Sequence, residues 1–387
     1  MYIEIHTSAK LQEHWERERS LDCVVCQNLD LRGETEFLLA ISANGAVFLG
    51  CQFEGPALEH IVDTCGLVFP RLSEHLDLPF QPYRHSLYMV PELMAGFDPD
   101  RPASLADTVD GQIYTRFQKY RGSDDQPTPI LEALAQRIHD HSIDDALYEF
   151  LLEHEHVVGI MGGHRMVRGE QAYRDVAWMA RELTRGSMLV ATGGGPGAME
   201  AANLGAWLAP YNDPALDVAI DVLTPSPAFD DDPGGYVAYG YKVLDRLAGT
   251  NSPNNSAGAP SLAVPTWFYG HEPTNVFSTH IAKYFANSIR EDGLVGIATR
   301  GIVFAPGKAG TVQEIFQDAT QNYYGTCKVI SPMVLFGKKY WTKELPVVQI
   351  LQRLGEGKAM GDLITIEDDP ERIVEFLKQH TPVDAHD

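Results

Sequence analysis

From residue 157 onward, short apolar runs end in glycine-rich turns, and each turn leads into a segment whose apolar residues have helical spacing. The run HVVGIMGG ends at Gly162 and Gly163, SMLVATGGGPG ends in the glycines of 193–197, and GIVFAPG ends at Gly307. Strand, glycine turn and helix in repetition are typical of a doubly wound parallel sheet. We therefore predict the α/β class for this part of the chain.

Loops at the carboxyl ends of parallel strands are where sheets of this kind bind ligands. That rule selects three loops, at 161–165, 192–197 and 306–311. They are far apart in the sequence, and we expect them to converge on one crevice of a Rossmann-like sheet. Residues 141–387 are predicted to form this nucleotide-binding domain.

The stretch TGGGPGA at 192–198 matches the dinucleotide pattern G-x-G-x-x-[GA], which is weak evidence alone, and an earlier strand–helix unit precedes it. Bare backbone before a helix suits binding of a phosphate group. Alternatively, the glycines form a tight turn under a packed helix. An NAD-dependent oxidoreductase is less well supported, because Asp217 and Asp221 fall early in or within the next predicted strand, not at its end.

The stretch FAPGKAGTVQEIF at 304–316 is not a Walker loop. Gly301 and Gly307 enclose five residues where the motif has four, and Lys308 is followed by an alanine instead of a hydroxyl residue. Thr311 and Glu314 have the spacing of a helix capping box. Because the helix opens from a strand end, Glu314 could alternatively face the crevice as a catalytic carboxylate.

Segment 277–291 is predicted to be an amphipathic helix. Its polar face carries His280, Lys283 and Arg290, opposite Phe277, Ile281 and Phe285. This face is either a solvated surface or part of the site. Nearby aromatic and imidazole groups could stack on a purine or anchor a long loop to the core; these are Trp267, Phe268, Tyr269, His271 and Tyr284.

The chain carries a formal charge of −23, which disfavours nucleic acid polymers and anionic membranes as partners. Neither a basic leader with an apolar run nor a membrane-length apolar stretch is present, so we expect a soluble, cytoplasmic protein. Five cysteines are too few for a disulfide framework. A zinc site using Cys23, Cys26, Cys51, Cys65 and His60 is the alternative to small buried residues.

Residues 1–140 lack the strand–glycine–helix pattern and are predicted to be an accessory domain with a regulatory or oligomerising role. Gly45, Gly50 and Gly55 follow at five-residue steps, which hints at turns of a small solenoid without establishing a repeat.

The stretches ATGGGPGAMEAANLGAW and APGKAGTVQEIFQDA resemble, in this order, the paired motifs GGGxxGxM and PGGxGTxxE of the LOG-type phosphoribohydrolases. The resemblance covers roughly residues 157–375. It implies hydrolysis of the N-glycosidic bond of a nucleoside 5′-monophosphate to free base and ribose 5-phosphate, with no cofactor and no metal, in a homodimer or larger homo-oligomer.

By this resemblance, Glu314 would be catalytic and the glycine loops would hold the phosphate. Two departures stand out. Lys308 replaces the second glycine of PGG, and the Arg-Lys pair of the family has no clear counterpart, so Arg290 is taken as the catalytic cation, with Arg300 as another candidate. A non-catalytic nucleotide sensor with the same loops is the alternative. The predicted binding residues are Gly162, Gly163, Arg165, Thr192, Gly193, Gly194, Gly195, Gly197, Glu200, Asn203, His280, Lys283, Gly307, Lys308, Gly310 and Thr311.

Overall fold

The computed structural model describes residues 3–122, 126–248, 258–270, 273–327 and 329–385. The chain divides into two compact units. The first contains residues 1–87 and 116–148, and the second contains 88–115 and 149–387. Residues 88–115, which the sequence prediction assigned to the accessory domain, thus belong to the unit that carries the glycine loops.

The first unit contains a four-stranded parallel sheet in which each strand pairs with the next one along the chain, in the order β1-β2-β3-β4. Its elements are β1 Ile3–Ile5, α1 Ser8–Glu18, β2 Val24–Gln27, α2 Thr35–Leu39, β3 Val47–Leu49, α3 Gly55–Asp63, β4 Leu67–Phe69 and α4 Leu72–His75. Cys26 and Cys51 lie in its apolar core. Burial raises the pKa of Cys26, and it raises that of Cys51 to about 11.

Three helices follow in the chain before the larger sheet begins. They are α5 Val90–Leu93, α6 Val109–Tyr120 and α7 Ile130–Leu152. A short 3-10 turn, Pro102–Asp107, precedes α6. Within the described residues, no helix combines the length and the apolar character that a membrane span requires.

The second unit is built on a seven-stranded parallel sheet, which confirms the predicted Rossmann-like α/β fold. The strand order is β12-β11-β9-β5-β6-β7-β8. The strands are β5 Val157–Met161, β6 Leu189–Thr192, β7 Ser261–Ala263, β8 His280–Ile281, β9 Gly301–Phe304, β11 Met333–Phe336 and β12 Ile364–Glu367. Every residue of β5, β6 and β9 is buried, as expected for central parallel strands covered on both faces.

The helices of the second unit alternate with these strands. They are α8 Gln171–Arg185, α9 Ala198–Trp207, α10 Pro214–Leu223, α11 Pro233–Ala248, α12 Asn287–Ile297, α13 Ala309–Tyr324, α14 Val348–Gly355, α15 Ala359–Asp362 and α16 Pro370–Gln379. Two further short strands, β10 Val329–Ile330 and β13 Val383–Asp384, pair with each other antiparallel. A single π-helical turn covers Tyr340–Glu344.

The prediction of a helix over 277–291 is wrong. Residues 280–281 form the edge strand β8, the chain continues extended beside 263–265, and helix α12 begins at Asn287. Phe277, Ile281 and Phe285 are four residues apart, a spacing that fits the 3.6-residue helical repeat and also one face of an extended chain. The apolar pattern therefore could not separate the two structures.

The segment around Asp217 and Asp221, predicted to be a strand, is helix α10. Pro214 occupies its first turn, and its buried residues Leu216, Ala219 and Ile220 follow helical spacing. Proline is favoured at the start of a helix, where its missing N–H costs nothing. Neither aspartate therefore stands in the strand that the dinucleotide hypothesis required.

Candidate active site

The strands β9, β5 and β6 are neighbours in the sheet, so the loops that follow them emerge side by side at the same edge. The chain enters the sheet at β5, extends to β8 on one side, and then returns to β9 on the other side. The gap between β5 and β9 is therefore the topological switch point, where open α/β sheets bind ligands.

Backbone contacts join the three loops directly. The N–H of Gly163 donates to the carbonyl of Pro306 over 3.0 Å, and the N–H of Ala198 donates to the carbonyl of Gly163 over 3.2 Å. Gly197 has φ +72°, and a Cβ there would lie 2.5 Å from the Gly163 oxygen. A side chain at 197 would therefore strain the backbone and push two of the loops apart.

The converging loops border a cleft of about 580 Å³, a size typical of small-molecule sites. Eight of the predicted site residues line it: Gly162, Gly163, Gly193, Arg290, Lys308, Gly310, Thr311 and Glu314. The amino termini of α9 and α13 begin beside the loops at 193–197 and 306–308. Their free N–H groups give this part of the cleft a preference for anions.

Arg290 and Glu314 face each other in the cleft. Their side chains are about one-tenth exposed, and Arg290 Nη1 lies 3.6 Å from Glu314 Oε1. Arg290 Nε donates to the carbonyl of Val264 over 2.9 Å, which fixes the plane of the guanidinium. A Cβ at Gly193 would lie 2.4 Å from Arg290 Nη2, so the absence of a side chain there lets the cation pack onto the glycine loop.

The predicted capping box does not form. Helix α13 begins at Ala309 with Lys308 as its N-cap residue, and Thr311 is the third helical residue. The Thr311 hydroxyl instead occupies the space that a side chain at Gly307 would need, 2.1 Å from a Cβ built there. Since the helix starts earlier than predicted, Glu314 is not needed as a cap and points into the cleft.

A second group of polar side chains forms another wall of the cleft. Tyr269 donates its hydroxyl to Glu291 Oε1 over 3.2 Å, and Gln313 Nε2 donates to Glu291 Oε2 over 2.7 Å. Asn287 Nδ2 donates to the Tyr269 hydroxyl over 2.9 Å. Tyr269 is 61% exposed, so its ring is available to a planar ligand.

Glu200, predicted to bind substrate, is instead the centre of a buried network beneath the glycine loop. It pairs with Arg168 through both carboxylate oxygens and accepts the hydroxyls of Tyr173 and Tyr236 over 2.8 and 2.6 Å. Burial, followed by the charge of Glu200, raises the pKa of both tyrosines well above the usual range. Gly197 N–H donates to Tyr236, so the network supports the loop from below.

Thr192 and Asn203 also stabilise the loop from inside. The Thr192 hydroxyl donates to Asn203 Oδ1 over 2.7 Å and accepts the N–H of Gly194 over 3.0 Å. Asn203 reaches the carbonyl of Leu262 in the next strand. Both side chains are fully buried, so their role in the structure is to shape the turn. Gly194 and Gly195 lie in the same buried turn.

Lys283 does not reach the cleft, contrary to the prediction. Its Nζ lies 2.7 Å from Asp110 Oδ1, and both side chains are 1% exposed. Trp267 Nε1 and the Thr274 hydroxyl donate to the same carboxylate. Lys283 falls on the buried side of an extended segment, whereas the helical projection had placed it on a polar face with Arg290.

His280 and Arg165 also lie outside the cleft. His280 sits in the edge strand β8, where it packs on Phe150, and burial and His154 lower its pKa. Arg165 and Gly307 border an adjoining cavity. The other candidate cation, Arg300, precedes β9 and hydrogen-bonds the carbonyl of Lys378, so it stands at the opposite strand end.

Of the aromatic groups, Trp267 and Tyr284 are buried in the core, Tyr269 lines the cleft, and His271 lies outside the described residues. Sequence analysis missed several cleft residues. Gln313 and Glu291 could have been found, because each directly adjoins a predicted catalytic residue. Phe229 and Asp230 carried no such signal, since they lie in a stretch without recognisable periodicity.

Comparisons with known proteins give a single described likeness, to a solved structure. The molybdenum cofactor binding protein from the phototrophic bacterium Rippkaea orientalis aligns at 13% identity, covering 58% of this chain and 96% of that one, with a TM-score of 0.35. No family model matches the sequence, and no curated protein matches it.

Proposed function

We propose that the cleft binds a nucleoside 5′-monophosphate and hydrolyses its N-glycosidic bond, releasing the free base and ribose 5-phosphate. The observation that carries this proposal is the convergence of three glycine loops on the cleft that also contains Glu314 and Arg290. A phosphate site and a carboxylate within one small cavity suit a phosphorylated sugar. The proposal includes a cytoplasmic protein that acts as a homo-oligomer.

The phosphate would bind where the loops meet the starts of α9 and α13. Free N–H groups at two helix amino termini donate to phosphate oxygens and favour negative charge, whatever the net charge of the chain. The glycines permit close approach of the ligand to the backbone. Lys308, which borders the cleft, adds a cationic side chain.

The reaction breaks the bond between C1′ and the base nitrogen and forms a bond between C1′ and the oxygen of water. One hydrogen of the water remains on the new anomeric hydroxyl, and the other ends on the base. Positive charge develops on the ribosyl ring as the base departs, and the Glu314 carboxylate would stabilise it and orient the water. Arg290 is permanently charged and would position Glu314 and the ribose or phosphate oxygens.

The test is incubation of the protein with AMP, GMP, CMP, UMP and IMP, with free base measured by chromatography. We expect base release from at least one of them and a loss of about 10²- to 10⁴-fold in Glu314→Gln. The matched control is Asp292→Asn, an exposed carboxylate on the neighbouring helix α12 that does not line the cleft. Unchanged activity in Glu314→Gln would refute the mechanism.

A nucleotide sensor without turnover is the second candidate, and the position of Lys283 favours it. One of the cations expected for the reaction is committed to the buried pair with Asp110. A sensor would show a rise in melting temperature with AMP or another nucleotide, with no free base after prolonged incubation. Base release would exclude it.

A further inference from the structure

A second cavity, of about 240 Å³, adjoins the cleft at the phosphate loops. Gly163, His164 and Lys308 border both cavities, so the two spaces meet over the contact between the first and third loops. The volume is roughly eight times the 30 Å³ that one water molecule occupies in the liquid. The second cavity therefore has room for a substituent larger than a single bound water.

The charge of the second cavity is positive, although the chain as a whole is strongly acidic. Arg165, Lys308 and the imidazole of His164 border it, opposed by the single carboxylate of Glu170. Arg165 has an exposed and therefore weak ion pair with Asp230, at 3.7 Å. Lys308 forms no ion pair within the described part of the chain.

The backbone beside the cavity is already stabilised. Tyr340 donates its hydroxyl to the carbonyl of Gly307 over 2.6 Å, and Gly163 N–H donates to the carbonyl of Pro306. The cations are therefore not required to satisfy these loop carbonyls. Met166, Ala172 and the Tyr340 ring supply apolar walls. A cationic rim over apolar walls fits an anionic group attached to something larger.

We propose that this second cavity binds a group attached to the 5′-phosphate, so that the preferred ligand carries a 5′-pyrophosphate, as a nucleoside 5′-diphosphate does. The inference rests on the proposed function, because that function places the first phosphate at the glycine loops. A substituent on that phosphate leads past Gly163 and Lys308 into the second cavity. Lys308, which stands where the resembling motif has glycine, would be the residue that recognises the second phosphoryl group.

Binding is measured by titration calorimetry with AMP and ADP in the Glu314→Gln protein, which removes turnover from the measurement. We expect ADP to bind about tenfold more tightly than AMP, as one additional charge-assisted contact provides. Adding Lys308→Met should reduce that ratio to about one, whereas Lys343→Met, an exposed lysine outside both cavities, should leave it unchanged. Equal affinities for ADP and AMP, or equal losses of both in Lys308→Met, would overturn the inference.

Two further arms separate this inference from the proposed function. Inorganic pyrophosphate and phosphate are titrated alone, and tighter binding of pyrophosphate that depends on Lys308 supports the second anion site even if no nucleotide is cleaved. Conversely, base release from AMP together with a pyrophosphate affinity no higher than that of phosphate supports the proposed function and refutes the second site. A dinucleotide joined by pyrophosphate shows whether the cavity also accepts a second nucleoside.

Discussion

Arg290 is held from three directions by groups whose positions do not depend on a ligand. The Val264 carbonyl, the bare backbone of Gly193 and the Glu314 carboxylate surround its guanidinium. A cation fixed in this way loses little conformational entropy when a ligand binds. The preorganisation of this pair, more than the presence of either charge, is the residue-scale basis for proposing a catalytic site.

Asp318 lies one helical turn after Glu314 and has a different environment. It is 2% exposed, its Oδ2 has no hydrogen-bond partner among the described residues, and burial raises its pKa well above the usual range. The folded protein therefore keeps a proton that the unfolded chain releases above pH 3.8. Stability should fall as the pH rises from that value toward the folded pKa.

We predict that Asp318→Asn is more stable than the wild type at pH 8 and that this difference shrinks as the pH is lowered toward 4. The slope within the window is about 1.4 kcal/mol per pH unit for one titrating group. Urea denaturation at several pH values measures it. The exposed control Asp292→Asn should follow the pH dependence of the wild type. If Asp318→Asn also does, Asp318 is ionised in the folded protein.

At the scale of elements, the glycine loops hold the site together because they tolerate close contact. Gly197→Ala should cost about 1–3 kcal/mol through backbone strain and should weaken nucleotide binding by separating the first two loops. The matched control is Gly293→Ala, in helix α12, where a Cβ meets no atom within 4 Å. There alanine should stabilise the helix by about 0.5–1 kcal/mol.

Thermal unfolding with and without AMP measures both variants. Opposite signs of the two stability changes are expected, and a loss of the AMP-dependent stabilisation in Gly197→Ala alone. A Gly197→Ala protein with wild-type stability and binding would show that the loop contact is not required.

The elements around the site could be predicted because several independent signals agreed on them. For β5, α8, β6, α9 and β9, apolar period, glycine turns and helix stops all pointed to the same structure. Segment 277–291 could not be predicted, because its four-residue spacing satisfies two periods and its partner strand β7 lies in a stretch rich in proline and glycine. Helix α11, between two segments predicted as irregular, was missed for lack of a clear start signal.

Within the site, glycines were placed by their strand ends, but the charged residues required tertiary structure. Glu200 follows a glycine loop just as a ligand-binding residue would, and only the positions of Arg168, Tyr173 and Tyr236 reveal its internal role. Lys283 similarly depends on Asp110, which lies 173 residues away. Sequence distance hides such partners from any local pattern.

At the scale of the whole molecule, the chain passes between the two units several times, so the glycine-loop unit includes residues well before its first central strand. Asp110 pairs with Lys283, and Tyr88 exchanges backbone hydrogen bonds with Ile281. A fragment of residues 141–387 lacks both. Removing one partner of a buried ion pair typically costs about 3–5 kcal/mol.

We therefore predict that the fragment 141–387 fails to unfold cooperatively, whereas 88–387 retains a cooperative transition and nucleotide-dependent stabilisation. Circular dichroism melting of the two fragments beside the full chain distinguishes them. If 141–387 melts as cooperatively as 88–387, then residues 88–115 are dispensable and the second unit begins near residue 141.

The central claim is that separate loops bind one sugar phosphate with Glu314 directed at its anomeric carbon. A crystal structure of the Glu314→Gln protein with AMP tests it most directly. The account predicts phosphate oxygens within hydrogen-bonding distance of N–H groups from both the 193–197 and the 306–310 loops, with the residue 314 side chain facing C1′. AMP bound elsewhere, or residue 314 turned away from the ribose, would contradict it.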